Sequence, residues 1–400
     1  MKRLLPSALL LLTLLLPAIA RAHDFEVDGI YYNIITSNEV EVTFLGNEYG
    51  NPDSYSGDVV VQATVLYNDT TYAVTAIGFR AFDGCIAVTN VTIPNSVIYI
   101  GYQAFEACTG LTSVIIPNSV TEINDYAFTG CSALTSISIG NSLSLIGEYV
   151  FSGCIGLTNI TVAGDNPYLD SRDNCNAIIE TASNTLIVGC QNTIIPTSAT
   201  SIGDLAFYGC TTLMTIDIPD SVTSIGWRAF QGCTSLTGIT IPNSVTQINE
   251  HAFSGCSALT SINLPNAITC IGDCAFYDCS RLDDVYSYIT DLSQLSMGHQ
   301  VFFFTNMGTL HVPVGTATAY QADGNWSQYF SAIVEMIPGD VDGDGTVCIH
   351  DLTALIGHLL SGHHPTNIAT ADVDGDGTVC IHDVAALINL LLSNHKTSSH

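Results

Sequence analysis

The chain has 400 residues and combines 8 basic with 37 acidic side chains, which gives a formal net charge of −29. Such a charge opposes unaided binding to nucleic acid or to an anionic membrane surface. Charged residues are only 11% of the chain, whereas apolar residues are 47%, so the sequence predicts a packed protein with a polar, mostly uncharged surface. The length suggests two or three domains or one elongated array.

Residues 1–22 have the pattern of a secretory signal peptide. Lys2 and Arg3 precede an apolar stretch at 4–16, and Ala-Arg-Ala at 20–22 gives a small-residue cleavage pattern. The stretch is shorter than the roughly 20 residues that span a bilayer, so a membrane anchor is the weaker alternative. We therefore expect an exported protein, secreted or associated with a cell surface, without membrane insertion.

A repeat with a period of 23 residues occupies positions 74–285. A phenylalanine marks each unit and a cysteine follows it by three residues; the phenylalanines are Phe82, Phe105, Phe128, Phe151, Phe207, Phe230, Phe253 and Phe276. The unit at 111–133, LTSVIIPNSVTEINDYAFTGCSA, begins with a strand-like segment, breaks at Pro-Asn and continues to an apolar Ala-Phe. This pattern predicts a solenoid with one short parallel strand per coil and a continuous apolar interior.

The repeat is interrupted where 56 residues separate Phe151 from Phe207. We interpret positions 155–200 as a longer, divergent coil within a continuous solenoid; two separate four-coil domains are the alternative. The flanking segments, 23–73 and 286–337, are expected to be an N-terminal β-rich cap and a C-terminal cap, because a solenoid needs closed ends.

The eight cysteines of the repeat favour a ladder of buried thiols over disulfides. Stacked coils place equivalent residues about 4.8 Å apart with parallel Cα–Cβ bonds, which is wider than the usual Cβ separation of a disulfide. We expect each thiol to act as a small apolar group and a weak donor to a turn. Cys175, Cys190, Cys270 and Cys274 lie outside the ladder and are free to pair, with Cys270–Cys274 one allowed bridge.

The repeated pattern L-x-x-V-x-I-P-x-S-V-x-x-I-x-x-x-A-F-x-x-C resembles the BspA-type leucine-rich repeats of bacterial surface and secreted proteins. The resemblance is strong over residues 74–285 and weak in the flanks. It implies a leucine-rich repeat solenoid with a β-strand plus a turn or short helix in each coil. It also implies a role in adhesion to proteins of a host or of neighbouring cells.

The exposed strand positions of the repeat carry hydroxyl and amide side chains, with few charges or aromatic rings. They are Thr89, Asn90 and Thr92; Thr112, Ser113 and Ile115; Thr135, Ser136 and Ser138; Thr237, Gly238 and Thr240; Thr260, Ser261 and Asn263. Such residues suit exposed strands in any case, and the face lacks the Tyr, Trp and Arg that dominate strong interfaces. A protein or glycan site of modest affinity that gains from multivalency is the functional interpretation. No catalytic constellation stands out, so we predict no enzymatic activity.

Two acidic loops lie 32 residues apart near the C-terminus. Their carboxylate, hydroxyl-bearing and glycine positions follow the spacing of a calcium loop, in which hard oxygen ligands surround a cation at a sharp glycine turn. We expect two calcium ions, held by Asp340, Asp342, Asp344, Thr346 and Asp351 and by Asp372, Asp374, Asp376, Thr378 and Asp383. Acidic turns without metal would crowd four carboxylates in each loop at a repulsive cost.

Each loop runs into one apolar-patterned helix, and residues 338–394 therefore resemble a type I dockerin, a small all-α calcium-binding domain. The resemblance implies a cohesin-like partner on a scaffold or cell surface. It assigns partner contacts to Ile349 and His350 in one half and to Ile381 and His382 in the other. Because the two halves carry the same residues, two equivalent binding orientations are expected.

Position 9 of each loop departs from the usual pattern, since it is Cys348 in the first loop and Cys380 in the second. A thiol is a poor calcium ligand, so we expect water to complete the shell and calcium affinity to be reduced. A zinc site made of these cysteines with His350 and His382 is the weaker alternative, because Cys-x-His is not a common zinc pattern.

The sequence thus predicts a secreted, non-enzymatic recognition or adhesion protein with a calcium-dependent docking domain. One alternative is a component of a polysaccharide-degrading complex that binds or hydrolyses glycan. Another is a purely structural role, in which the calcium loops cap or dimerise the protein. The ligand of the solenoid does not follow from the sequence.

Overall fold

The computed structural model describes residues 23–45, 54–306, 308–341, 347–361, 368–371, 373 and 379–397. The chain begins with β1 (Phe25–Val27), β2 (Ile30–Ile34), β3 (Glu39–Thr43), β4 (Gly57–Val60), β5 (Thr64–Tyr67), β6 (Thr70–Ile77) and β7 (Val88–Thr92). Antiparallel pairs join β1 to β2, β2 to β3 and β5 to β6. Parallel pairs join β3 to β6 and β4 to β7, so parallel stacking begins within the segment expected to be an N-terminal cap.

The regular coils contain two strands each, where the sequence suggested one. A longer strand occupies the L-x-x-V-x-I segment and a two-residue strand follows the proline turn: β8 (Tyr99–Ile100), β9 (Ser113–Ile116), β10 (Glu122–Ile123), β11 (Ser136–Ile139), β12 (Leu145–Ile146) and β13 (Asn159–Val162). The two strand positions stack into two parallel sheets. Because successive side chains point to opposite faces of a strand, Val114 and Ile116 are buried while Ile115 is 71% exposed.

The divergent coil is a short antiparallel meander. It consists of β14 (Leu169–Asp170), a 3₁₀ turn (Arg172–Asn174), β15 (Ile178–Glu180) and β16 (Thr185–Val188). The regular pattern then resumes with β17 (Ser201–Ile202), β18 (Thr215–Asp217), β19 (Ser224–Ile225), β20 (Gly238–Thr240), β21 (Gln247–Ile248), β22 (Ser261–Leu264), β23 (Cys270–Ile271), β24 (Asp284–Ser287), a 3₁₀ turn (Leu292–Gln294) and β25 (Ser296–Met297). Strand β16 pairs in parallel with β17, so the meander stacks on the following coil.

Phenylalanine rings and thiols form the ladders that the 23-residue period predicted. The rings of Phe105 and Phe128 stack with centroids 5.0 Å apart, and the Cys131 Sγ donates to the Phe105 carbonyl oxygen at 3.1 Å. The same thiol bond recurs at Cys108, Cys154, Cys233, Cys256 and Cys279. The thiol ladder is confirmed, and no disulfide joins Cys175, Cys190, Cys270 or Cys274.

The buried interior is divided into two clusters, one within residues 25–190 and the other within residues 175–330. This differs from the continuous interior expected from the sequence. The sheet that contains β12 ends there, as does the sheet that contains β13, and neither pairs with the strands that follow the meander. The 33 extra residues of the divergent coil therefore introduce a discontinuity, which we call the seam, between the coil of Phe151 and the coil of Phe207.

The stacked coils continue past residue 285 and end under two short helices. This end of the chain contains β26 (Thr309–Pro313), α1 (Ala317–Ala322), α2 (Gly324–Ser327) and β27 (Ala332–Met336). Strands β24, β26 and β27 pair in parallel. Phe302 stacks on Phe276 at 5.2 Å and so continues the ring ladder. Tyr320 and Trp326 are fully buried at this end, where they cover the last coil.

The C-terminal region contains α3 (Ile349–Ser361), α4 (Ile368–Ala371) and α5 (Ile381–Thr397). Its own small interior is built by Val341, Leu355, Ala371, Val384 and Leu387. The leucine-rich solenoid followed by a helical C-terminal region, as predicted, is confirmed. Across the described ranges, the helices are all too short or too polar to cross a membrane.

Candidate functional site

The last residue of each acidic loop closes that loop from within. The Asp351 carboxylate is fully buried and accepts one hydrogen bond from the Val341 N–H and one from the Cys348 N–H, both at 2.6 Å. In the second loop Asp383 is also fully buried and accepts bonds from Val373 and Cys380, both at 2.7 Å. One carboxylate therefore holds positions 2 and 9 of its loop together, in the same way in both loops.

This arrangement fits calcium. The buried position-12 carboxylates bring hard oxygen donors into the loop interior, and Asp340 at position 1 is also buried. The other predicted ligands lie outside the described residues: Asp342, Asp344, Thr346, Asp372, Asp374, Asp376 and Thr378. A bound calcium ion would neutralise the mutual repulsion of these carboxylates, and the same backbone bonds that close the loops would orient Asp351 and Asp383 toward it.

The unusual cysteines at position 9 start the helices. Because α3 begins at Ile349, Cys348 is its N-cap residue, and its Sγ accepts from the His350 N–H at 3.4 Å. Its own N–H donates to the Asp351 carboxylate, three residues into the helix, which is the contact that the third helical residue makes in a capping box. Cys380 repeats both contacts at the start of α5. The residue at position 9 of each loop therefore makes hydrogen bonds that fix the backbone at the start of the helix.

The four residues of the alternative zinc site are not brought together. Each thiol contacts only the histidine of its own loop, with 3.4 Å from the Cys348 Sγ to the His350 Nδ1 and the same distance between Cys380 and His382. Within the described parts of the chain, no three His, Cys, Asp or Glu side chains are close enough to hold a metal. The zinc alternative therefore gains no support from the structure.

The residues assigned to partner contact lie on the surface. Ile349 is 62% exposed and Ile381 is 68% exposed, and His350 and His382 are exposed beside them. Further exposed apolar side chains continue each patch along its helix, and they occupy equivalent positions 32 residues apart: Ile356 and Leu360 on α3, Ile388 and Leu392 on α5. These four residues belong to the apolar pattern of the two helices but are exposed, whereas Leu355 and Leu387 of the same pattern are buried in the interior of the C-terminal region.

Comparison with known protein families follows the same division of the chain. The family model described as the BspA type leucine rich repeat region matches residues 68–177 and 186–313, which is more than half of the chain, with six copies. The chain belongs to the BspA-type leucine-rich repeat family. The model of the dockerin type I domain matches residues 338–392. Dockerin type I domains bind calcium and imply a cohesin-type partner, and BspA-type repeats are typical of protein-binding surface proteins.

A solved structure of a leucine-rich repeat protein shares the fold. The chain is similar to a leucine-rich repeat protein from Bacteroides ovatus, with 25% identity, a TM-score of 0.51 and coverage of 78% of this chain and 76% of that chain. It also matches a leucine rich cell surface protein from Faecalibacterium prausnitzii, with 25% identity, a TM-score of 0.34 and coverage of 69% and 94%. No match is found among curated proteins. BspA-type repeats and dockerin domains are typically non-catalytic and extracellular or at the cell surface.

The hydroxyl-rich strand face of the BspA-type repeats is exposed as predicted, but part of it is engaged within the solenoid. The Thr112 Oγ1 donates to the Thr89 carbonyl oxygen at 3.3 Å, and the Thr135 Oγ1 donates to the Thr112 carbonyl oxygen at 3.0 Å. Thr158 and Thr237 repeat this contact with the preceding coil. These hydroxyls stabilise the stacking of coils, so the functional interpretation of this face is weaker than the sequence suggested.

A row of partly exposed aromatic rings runs along the turn side of the first four repeat coils and ends at the seam. It comprises Phe79, Tyr102, Tyr126 and Tyr149, with successive centroids 5.9, 5.6 and 5.0 Å apart. This row was not among the sites predicted from the sequence. A count of aromatic residues at the two positions before each Ala-Phe or Val-Phe would have found this row.

Proposed function

We propose that the protein is an exported recognition protein whose leucine-rich solenoid binds protein or glycan, and whose C-terminal domain docks it through two calcium ions onto a cohesin-type partner. The proposed organisation is a signal peptide at 1–22, which lies outside the described residues, caps at 23–73 and 286–337, the solenoid at 74–285 and the docking domain at 338–394. A non-catalytic role is part of the proposal.

The observation that carries the docking proposal is the duplication of the surface around Ile349 and Ile381. Each isoleucine is exposed at the start of a helix, follows a cysteine cap and precedes an exposed histidine. An exposed apolar patch with a polar edge is typical of a protein interface. Since the two patches carry the same residues, a partner could engage either one through a half-turn of the domain.

The test is binding of the full-length protein to an immobilised type I cohesin module, with calcium and with EGTA. Wild-type protein should bind only with calcium, because the ion stabilises the loops that precede both helices. Ile349→Asp or Ile381→Asp alone should weaken binding only about two-fold, since one orientation remains, and the double variant should lose binding. Ile115→Asp on the solenoid is the matched control, since Ile115 is similarly exposed.

Two results would contradict the proposal. Calcium-independent binding, or full binding by the double variant, would place the partner elsewhere on the chain. Loss of binding in one single variant alone would exclude two equivalent orientations. The number of ions is tested separately by calorimetry on the full chain, where two calcium ions are expected for the wild type and one for Asp383→Ala.

A further inference from the structure

The seam interrupts the backbone ladder that joins neighbouring coils. In the regular coils the Tyr126 N–H donates to the Glu148 carbonyl oxygen at 2.9 Å, and the Leu205 N–H donates to Trp227 at 2.9 Å. The equivalent N–H groups of Tyr149 and Phe151, both within the described residues, have no such acceptor on the next coil. Among the described residues, backbone donors that bond to the next coil at the repeat junctions before and after the seam therefore have no such acceptor at the seam.

A cavity of about 410 Å³ opens at the seam, within the range of about 300–1,000 Å³ that is usual for ligand pockets. Five aromatic residues contribute to its lining: Tyr149, Phe151, Phe207, Tyr208 and Trp227. Phe151 and Cys210 are only half-buried, whereas their equivalents in the regular coils are almost completely buried. The seam therefore exposes apolar surface that the rest of the solenoid conceals.

The rings of this cavity are held in place by contacts across the seam. The Tyr149 ring lies perpendicular to Tyr208 at 4.9 Å, and the Tyr149 hydroxyl oxygen accepts from the Arg228 Nη1 at 3.0 Å. The Arg228 guanidinium also lies over the Trp227 ring, 4.5 Å from its centroid. A cationic ligand would have to compete with this guanidinium for the ring face of Trp227.

Three carboxylates also line the cavity: Glu148, Glu180 and Asp204. The Asp204 Oδ1 accepts from the Trp227 N–H at 2.7 Å, and its second oxygen has no hydrogen-bond partner among the described residues. Asp273 makes the equivalent backbone bond to His299 at 2.7 Å in a coil far from the seam. The cavity thus combines backbone donors, carboxylate acceptors and flat apolar rings.

We propose that the seam cavity binds a neutral pyranose residue of a glycan chain. Sugar hydroxyls both donate and accept hydrogen bonds, so they match a site that offers free N–H groups and carboxylates, and the C–H face of a pyranose packs on aromatic rings. The three carboxylates and the net charge of −29 oppose uronic and sialic acids. This inference deepens the recognition role proposed for the solenoid and rests on it.

The aromatic row from Phe79 to Tyr149 extends the site. Its rings follow one another at 5.0 to 5.9 Å and lead into the cavity at Tyr149. Further sugar units of the same chain can stack along these rings, so an oligosaccharide should bind more tightly than a single sugar. Binding along several rings adds affinity without a deep pocket for each unit.

The experiment is titration calorimetry of the full-length protein in EGTA with named sugars. The neutral probes are cellohexaose, xylohexaose, mannohexaose and chitohexaose together with methyl glucoside, and the charged probes are hexagalacturonate and a lysine hexapeptide. Tyr208→Ala removes a cavity ring, and Tyr277→Ala is its matched control because each tyrosine directly follows a ladder phenylalanine. Asp204→Asn and Asp273→Asn form a second, isosteric pair that keeps the backbone bond.

At least one neutral hexasaccharide should bind, more tightly than methyl glucoside and without calcium. Tyr208→Ala and Asp204→Asn should each weaken that binding about ten-fold, while both controls stay within about two-fold and all four variants keep the wild-type melting temperature within a few degrees. No neutral binding, preference for a charged probe, or equal effects of site and control variants would overturn the inference. Cohesin docking is measured on the same protein samples, so failure of the sugar site alone leaves the docking proposal standing.

Discussion

Replacing Phe230 with alanine should destabilise the part of the solenoid that follows the seam. The Phe230 ring is fully buried and stacks between Phe207 at 4.9 Å and Phe253 at 5.2 Å. The substitution removes side-chain burial that contributes about 1.5–3 kcal/mol and two ring contacts of about 0.5–1.5 kcal/mol each. With the cavity that remains, the free energy of unfolding should fall by about 3–5 kcal/mol.

The same substitution at Phe105 gives a matched comparison across the seam, because that ring is equally buried and stacks at 4.8 and 5.0 Å. Both tryptophans of the chain, Trp227 and Trp326, follow the seam, so their fluorescence in a urea titration reports on that part. Phe105→Ala should change the fluorescence-monitored free energy of unfolding by less than about 1 kcal/mol. In a solenoid, stability is transmitted through the interfaces between neighbouring coils, and the seam separates the buried cluster of Phe105 from the part of the chain that contains both tryptophans.

Circular dichroism serves as the control, because it should register both variants. Equal shifts of the fluorescence transition by Phe105→Ala and Phe230→Ala would refute the reasoning, since they would show that the two buried clusters unfold as one unit. A change in the slope of the transition, by contrast, would indicate that the array has lost two-state behaviour.

Three further predictions concern the thiols. Burial raises the pKa of Cys279 to about 12 from an ordinary 9.0, so the stability it contributes is complete below pH 9 and is lost as the pH rises toward 12; the melting temperature should fall in this window, and less steeply in Cys279→Ala. Iodoacetamide should modify Cys348 and Cys380 before Cys233 and Cys256 in the native protein, because the latter pair is fully buried; equal labelling by mass spectrometry would contradict this. Cys348→Ser should keep the helix cap, whereas Cys348→Val should destabilise the C-terminal helices by about 1 kcal/mol in thermal unfolding.

The repeated part of the fold was predictable because each coil specifies its own contacts. A cysteine three residues after each phenylalanine implied a ladder of thiols that donate to turns, and the structure contains these bonds, as at Cys131 and Cys256. The loop spacing likewise singled out Asp351 and Asp383, and both are buried where they hold the loop ends together. In each case a fixed spacing determined a local geometry.

Features that depend on two distant segments were not predictable from the spacing. Tyr149 and Tyr208 meet only because the divergent coil brings the next regular coil beside them, and no local pattern encodes that approach. The second strand of each coil was missed because a two-residue element such as Glu122–Ile123 carries too little periodicity. From the sequence, Cys348 was considered only as a poor calcium ligand or as part of a zinc site, and its role as a helix cap became evident only from the start of α3.

Recognition by this solenoid should depend on where its regularity ends. In the regular coils, backbone groups bond to the next coil, and threonines such as Thr112 bond to the carbonyl of the coil before. Where the polar groups of a surface already form hydrogen bonds within the protein, a ligand gains little free energy from new hydrogen bonds to them. At the seam, by contrast, the amides of Tyr149 and Phe151 and the rings around them lack their usual neighbours. The insertion that interrupts the inter-coil bonds therefore also leaves unpaired the groups that the proposed sugar site would use.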